Sequence, residues 1–201
     1  MKSYWDNRYS QQGHKTVGNC ALSVEDFELK TEEVRKKVFE FFVKYFVQKK
    51  VLDYGCGWGR LSVVLSLIAS EVHGVDIAQW AIDEARKTLT HGHFNLFDGC
   101  NIPYPDSQFG GILTWTVLQH VRSWDIEKVC KEIDRVMEAN GVLIFYENCS
   151  IWIPNKSHIW FRSADAYKAL FPNFSVEREE IVPNADDTEE DHVLMVMRKK
   201  G

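Results

Sequence analysis

Basic charge is the first thing this chain has little of. Its 24 Lys and Arg are outnumbered by 29 Asp and Glu, for a formal net charge of −5. The electrostatic footprint of a nucleic-acid binder is therefore missing at the level of the whole chain. No apolar run approaches the roughly 20 residues that a membrane span needs. The start, Met1-Lys2-Ser3-Tyr4-Trp5-Asp6, has no apolar core of a secretory signal. Cysteines number five (Cys20, Cys56, Cys100, Cys130 and Cys149), scattered, with no C-x-x-C pair and no metal-ligand spacing. That excludes a disulfide framework as the organising device and predicts reduced thiols in a cytoplasmic protein. No internal repeat or low-complexity segment is present.

What is there is a chain of 201 residues with 45% hydrophobic and 26% charged content, enough for one ordinary domain with its own core. It is organised around Val51-Leu52-Asp53-Tyr54-Gly55-Cys56-Gly57-Trp58-Gly59-Arg60. An apolar strand runs into a glycine turn, and Leu61 to Ile68 reads as a buried helix. This is the first half of a βαβ unit. Glycines permit positive φ and close backbone approach, and a helix N-terminus there would offer unpaired N–H groups to a ligand. Spacing narrows the ligand. A dinucleotide fingerprint needs G-x-G-x-x-G, and its third glycine position is Arg60 here. No Lys-Ser/Thr pair follows, which removes a phosphate-cradling P-loop.

Along the chain, residues 3–12 form a short helix with Trp5 and Tyr9 as i,i+4 neighbours. Ser23 opens a second helix that breaks near Lys30-Thr31, where Thr31-Glu32-Glu33 offers a new cap. Strands are expected at 50–54, 71–76, 93–98, 109–117, 142–146, 175–182 and 192–197, with helices at 58–69, 78–89, 125–139 and 163–170. Asn140-Gly141 reads as the C-terminal cap of the 125–139 helix. Alternating strands and helices argue for a parallel sheet covered on both faces. The last two strands are joined by the acidic turn Pro183–Asp191 alone and should pair antiparallel.

The glycine turn, with Asp53 two residues before Gly55, resembles motif I of class I S-adenosylmethionine-dependent methyltransferases. Five further places agree in order. Asp76 ends the second strand and Asp98 the third. Asn101-Ile102-Pro103-Tyr104-Pro105-Asp106-Ser107-Gln108-Phe109 is similar to the family's "LPFPDNSFD", with Gly110 where the following Asp is usual. Trp115 to Val121 resembles "xxxLHHV", with Gln119 in place of the first His. Glu132 to Gly141 resembles "EIxRVLKPGG", with Asn140 for its first glycine. The likeness is nearest to the type 11, ubiquinone-biosynthesis-methyltransferase-like group.

The resemblance implies a Rossmann-like three-layer α/β/α sandwich whose seven-stranded, mostly parallel sheet has its last strand antiparallel. It implies one methyltransferase domain over residues 1–201: a helical cap (1–48), a cofactor-binding core (49–147), and an acceptor-side loop with the C-terminal hairpin (148–201). The cofactor implied is S-adenosylmethionine, leaving as S-adenosylhomocysteine. Asp53, Gly55, Cys56, Gly57 and Arg60 would line it from the glycine turn. Asp76 would hold the ribose hydroxyls with Ile77 beside it, and Asp98, Gly99 and Cys100 would hold the adenine. Trp115 and the cap residue Arg8, a fork for the methionyl carboxylate, would complete that set. His120 is the first candidate for a general base and Glu147 the second. The aromatic segments supply acceptor candidates: Trp5, Tyr9, Trp152, His158 and Trp160.

Transfer is an in-line displacement, and no metal is expected, because the acid pair of the catechol type has no counterpart near the fourth strand. That strand's end reads Thr114-Trp115-Thr116-Val117, not the N/D-P-P-Y/F of amino-methylating nucleic-acid enzymes. A small-molecule acceptor is expected, without membrane or nucleic-acid partners, for a monomer or homodimer. The alternatives are a non-catalytic S-adenosylmethionine-binding or protein-interaction module, a methyltransferase acting on protein or RNA, and, against the glycine spacing, a nicotinamide dehydrogenase.

Overall fold

The structure, a computed structural model, describes residues 2–17, 22–149, 158–182 and 191–201. It is a Rossmann-like α/β fold. One seven-stranded sheet has the order β3-β2-β1-β4-β5-β7-β6, and only β7 runs against the rest. The chain divides into two compact units, Met1–Gly99 and Cys100–Gly201. The division falls inside the span 49–147 expected as a continuous core.

The first unit holds α1 (Lys2–Gln12), a 3-10 turn (Gly13–Val17), α2 (Val24–Phe46), β1 (Lys50–Tyr54), α3 (Ser62–Ser66), β2 (Glu71–Asp76), α4 (Gln79–Thr88) and β3 (His93–Leu96). β1 pairs β2, and β2 pairs β3, both parallel. The Ser23 hydroxyl caps α2, accepting the Asp26 N–H at 3.0 Å while donating to the Asp26 carboxylate at 2.7 Å. The expected break at Thr31 does not occur. Thr31 is buried along with Phe27, Val38, Phe42, Tyr45 and Phe46, one apolar stripe that carries a single helix through 23 residues.

The helix after the glycine turn is shorter than expected. Gly55, Gly57 and Gly59 take φ of 76°, 53° and 83°, so helical backbone cannot begin among them. At the far end the Ile68 carbonyl accepts the Gln48 N–H, which turns the chain away. Gly74 inside β2 is fixed by packing: a Cβ there would lie 2.5 Å from the Phe94 ring and 2.9 Å from the Cys56 sulfur.

The second unit holds β4 (Phe109–Trp115), a 3-10 turn (Leu118–His120), α5 (Ile126–Val136), β5 (Met137–Asn148), α6 (Ala164–Ala169), β6 (Phe174–Val182) and β7 (His192–Lys199). β4 and β5 are parallel, with an irregularity between Phe109 and Gly111. The expected cap at Asn140-Gly141 is corrected. α5 ends at Met137, already extended at φ −81° and ψ 132°, and Asn140 at φ 62° lies within β5. The motif arginine explains why the chain leaves the helix there. Arg135 donates to the Tyr104 and Ile102 carbonyls (2.9 and 3.0 Å) and to Asp106 (2.7 Å), while Glu132 accepts the Ile102 N–H (3.0 Å). Loop 101–106 is thereby tied to the last turn of α5. Ile112, Leu113, Val129, Leu143 and Phe145 form the buried centre, and Met195 and Met197 of β7 close it.

Candidate functional site

In the first unit the carboxyl ends of β1 and β2 gather the acids and the glycine turn. Asp53 is 3% exposed and accepts from the Ser62 hydroxyl at 2.6 Å. Burial pushes its carboxyl up to about 6, against the pull of that hydrogen bond. Asp76, 9% exposed, accepts the Gly57 N–H through Oδ2 and the Ala78 N–H through Oδ1, both at 2.9 Å. Burial raises it to about 6 as well.

The turn is laced to the same strand end. Gly55 and Cys56 donate to the Val75 carbonyl (2.8 and 3.0 Å), and Gly59 to the Cys56 carbonyl (3.0 Å). Four N–H groups of the turn, those of Gly55, Cys56, Gly57 and Gly59, are thus consumed by the protein, and the turn presents a buried carboxylate. Cys56 is buried toward Gly74, so its thiol, pushed well above its ordinary value by burial, faces the protein and not a ligand.

The end of β3 joins this cluster. Phe97 N–H donates to the Asp76 carbonyl at 3.1 Å, and the Tyr54 hydroxyl donates to the Gly99 carbonyl at 3.1 Å. Gly99 passes so near Ile77 that a Cβ would stand 3.2 Å from its Cγ2. Asp98 is exposed beside it, and Cys100, half-buried, begins the second unit. Arg60 is half-buried; burial first, then the Arg35 charge, lowers its guanidinium to about 10, so it stays cationic at neutral pH. Its carbonyl accepts from Arg35 Nε at 2.9 Å.

α1 brings the cap residues to this end of β2. Tyr9 is 3% exposed, packed on Ala78 and Ala81 and stacked on Trp80 at 4.9 Å, with Trp5 against the same cluster. Burial, and next the Asp76 charge, hold the Tyr9 phenol well above its ordinary value. The expectation that Tyr9 lines an acceptor pocket is corrected: its ring is spent fastening α1 to α4. Arg8 donates to the Tyr4 hydroxyl at 3.1 Å. Trp58 is also a fastener. Its indole N–H donates to the His14 carbonyl at 3.1 Å, its ring stacks on the His14 ring at 4.5 Å, and Arg35 lies 5.6 Å from its centroid. These three line a cavity of about 580 Å³ with Phe27 and Thr31 of α2.

In the second unit the catalytic candidates meet at the turn after β4. His120 is half-buried, and its Nδ1 lies 2.8 Å from the His158 carbonyl. A carbonyl only accepts, so the proton is assigned to Nδ1 and the lone pair to Nε2. The two imidazoles stack at 5.4 Å and 17°, and Gln119 Nε2 lies 3.4 Å from His120 Nε2.

Glu147 departs from its expected role. It is 0% exposed. Its Oε1 accepts from Val117 N–H (3.0 Å) and the Thr114 hydroxyl (3.2 Å), and its Oε2 accepts from Gln119 N–H (3.0 Å). Burial raises it to about 7, opposed by those backbone donors. A carboxylate so enclosed holds the turn in place instead of meeting a substrate.

The opposite side of the turn is held by a residue that sequence reasoning passed over. Arg162, buried, donates to the Leu118 and Val121 carbonyls at 3.0 and 2.7 Å. The available signal was a lone Arg inside an aromatic run directly before the Ser163 cap. Gln119 adds a third tie, accepting the Asn148 N–H at 2.7 Å and, through its carbonyl, the Trp160 N–H at 2.8 Å. Trp160 is half-buried and edge-on to Trp124. Trp115 is drawn to another place, stacked on Tyr146 at 4.5 Å, which in turn stacks on His192. Trp152 and the acidic segment 186–190 lie outside the described residues.

Residues 52–145 match the family described as "Methyltransferase domain", type 11. The chain is 32% identical over 116 residues to the demethylmenaquinone methyltransferase of Thermotoga maritima, covering 56% of this chain and 49% of that protein. To the malonyl-[acyl-carrier protein] O-methyltransferase of Salmonella typhimurium it is 31% identical over 110 residues, covering 55% and 43%. The chain thus spans about half the length of the curated relatives it matches. Among solved structures, a Pyrococcus horikoshii protein superposes with a TM-score of 0.73 at 22% identity, covering 96% of this chain and 99% of that one. The phosphoethanolamine N-methyltransferase 1 of Haemonchus contortus, solved with phosphoethanolamine and S-adenosylhomocysteine, superposes at 0.79 and 15% identity, covering 99% and 48%. At these identities the superpositions establish the shared fold.

Proposed function

Because residues 52–145 belong to the methyltransferase-domain family of class I, type 11, we propose that this chain binds S-adenosylmethionine and moves its methyl group to a small organic acceptor. One observation carries the cofactor half: the buried Asp76 carboxylate at the end of β2, clamped by the N–H groups of Gly57 and Ala78. Its oxygens accept from Gly57 and Ala78 and the Ile77 N–H is bonded to it as well, so of a carboxylate's about four acceptor sites one remains for a ribose hydroxyl. With the Gly55, Cys56, Gly57 and Gly59 N–H groups consumed, the turn and its carboxylate suit a nucleoside better than a pyrophosphate. Ile77 and Gly99 would flank the base, and Asp53 and Arg60 the turn beside it. Arg8 of α1 would take the carboxylate of the amino-acid moiety.

The cofactor supplies an activated methyl on a sulfonium. The protein supplies alignment, worth on the order of 7–11 kcal/mol when reacting groups are well oriented. His120 is the base in this reading. The His158 carbonyl fixes its tautomer and puts the lone pair on Nε2, where an acceptor would displace the Gln119 amide, 3.4 Å away, to hand over its proton. Glu147 and Arg162 are positioning residues that hold the turn carrying His120 from its N–H and carbonyl sides.

Relatives with this domain are named for demethylmenaquinone and for a malonyl-carrier protein. Acceptor choice therefore falls to segments outside 52–145, here Trp5 of α1 and the aromatic residues of 148–162. The net charge of −5 argues against a nucleic-acid acceptor. We place the protein in the cytoplasm as a monomer or homodimer; among the described residues no helix is long and apolar enough to cross a membrane.

The test is turnover. The purified chain is incubated with S-adenosylmethionine and a pool of small metabolites, and S-adenosylhomocysteine is quantified. Product that disappears in His120→Ala supports the reading. Tight cofactor binding with no product across a broad pool would assign a non-catalytic module instead.

A further inference from the structure

At the opposite end of β2 from Asp76 stands a second cluster, used by nothing described so far. Glu71 opens β2 and His93 opens β3. His73 lies two residues after Glu71, so both side chains leave the same face of the strand. His73 and His93 are register partners across the β2–β3 ladder. Two neighbouring strands therefore aim two imidazoles and one carboxylate at one point. His73 Nε2 lies 2.8 Å and His93 Nε2 3.4 Å from the same oxygen, Glu71 Oε1. The three donor atoms all fall within 4.8 Å of one another. His73 is buried and Glu71 half-buried, while the His93 side chain is 56% exposed.

We propose that Glu71, His73 and His93 form a binding site for a borderline divalent transition metal, zinc foremost. Two imidazole nitrogens and one carboxylate oxygen form a donor set that suits zinc, nickel or copper and offers little to magnesium or calcium, which take oxygen ligands. Zinc–ligand bonds of about 2.0–2.2 Å in a tetrahedron place donors roughly 3.3–3.5 Å apart. The His93–Glu71 distance of 3.4 Å already matches that, and His73–Glu71 must open by roughly half an ångström from its 2.8 Å. The rings now stack at 4.7 Å and 24°. The exposed His93 supplies the swing that brings both Nε2 atoms onto one ion, and its open side leaves the fourth position to water.

One group opposes the ion. The Lys50 ammonium sits 3.1 Å from Glu71 Oε2, placed there by the β1–β2 register. It competes with a cation for the same carboxylate. The metal's role is structural: it clips the start of β3 to the start of β2. The site lies three to five residues, roughly 10–16 Å, upstream of the Asp76 end of its strand. The inference does not depend on the methyltransferase reading.

The test uses the full chain without a histidine tag, stripped with a chelator and titrated with zinc chloride by calorimetry. Thermal melting with and without the ion runs in parallel. One equivalent of zinc is expected, with a raised melting temperature and no response to magnesium. His93→Ala, at an exposed position that leaves the metal-free melting temperature unchanged, should weaken zinc binding by at least the 10–100-fold seen for loss of supporting groups around metals. Lys50→Gln should tighten it, and His91→Ala, a neighbour outside the triad, should leave it unaltered. Cobalt substitution should give the visible spectrum of a nitrogen- and oxygen-ligated tetrahedral ion. Zinc affinity that survives His93→Ala, or a thiolate spectrum with cobalt pointing to a cysteine site, overturns the proposal. The three side chains would then be a hydrogen-bonded cluster and no more.

Discussion

At the scale of single residues, His120 and Glu147 meet at one turn and do different work. His120 presents a nitrogen lone pair because the His158 carbonyl holds the proton on the other side of its ring. His120→Ala is expected to lower kcat by on the order of 10²–10⁴-fold with the affinity for S-adenosylmethionine unchanged, measured by steady-state kinetics beside cofactor titration. Glu147 accepts from the backbone N–H groups of Val117, Leu118 and Gln119 and from the Thr114 hydroxyl. Glu147→Gln turns one of those acceptors into a donor facing an N–H, and is expected to cost about 1–3 kcal/mol of stability, read from urea denaturation. Its pH dependence is specific. With its folded value raised to about 7, Glu147 takes up a proton more readily folded than unfolded. The penalty for its charge is present above that pH and is withdrawn as the pH falls through it. The stability gap between wild type and Glu147→Gln should therefore widen by about 1.4 kcal/mol between pH 8 and pH 6. A gap that stays constant would show that Glu147 does not titrate there.

Glu147 also marks a limit of sequence reading at this scale. An acid at the carboxyl end of a strand is equally placed to meet a ligand or to gather the backbone of the next turn. Which it does depends on whether the N–H groups of residues 117–119 come back toward it, a matter of tertiary geometry. Arg162 was invisible for the same reason, since its partners are carbonyls more than 40 residues away in sequence.

At the scale of elements, the strands and the polarity of the sheet were legible because alternation and apolar runs report burial directly. All seven strands appear where expected within a few residues, apart from an extended start to β5. Helix ends were less legible. The span 58–69 has helical composition, but three positive-φ glycines and a carbonyl claimed by Gln48 leave α3 only five residues. Asn140-Gly141 has the composition of a helix cap, yet the Arg135 network ends α5 earlier and lets the chain enter β5. The start of α2 was readable because its capping interaction is local. Ser23→Ala should cost about 1 kcal/mol, seen as a small drop in melting temperature. Gly74→Ala tests the packing of β2 at a place with no room. With a Cβ 2.5 Å from the Phe94 ring, it should cost about 3 kcal/mol or more and reduce the folded yield, measured by circular dichroism of the soluble fraction.

At the scale of the whole molecule, the family was readable because its motifs recur in order. A glycine turn alone fits several nucleotide ligands. Asp76, Asp98, the Pro103–Phe109 stretch and the Glu132–Gly141 stretch together fit one. The first unit carries the acids and the glycine turn. The second carries the turn bearing His120. The acceptor was not readable, because acceptor recognition rests on the shape of a pocket built from distant segments, and shape is not a property of spacing.

The central claim is that Asp76 anchors S-adenosylmethionine at the end of β2, and calorimetric titration of the cofactor into wild type and Asp76→Asn tests it most directly. Loss of charge-assisted hydrogen bonds of about 1.5–3 kcal/mol predicts an affinity lower by on the order of 10–100-fold in the variant, with its melting temperature measured alongside to show that it folds. An unchanged isotherm in a folded Asp76→Asn protein would contradict the account.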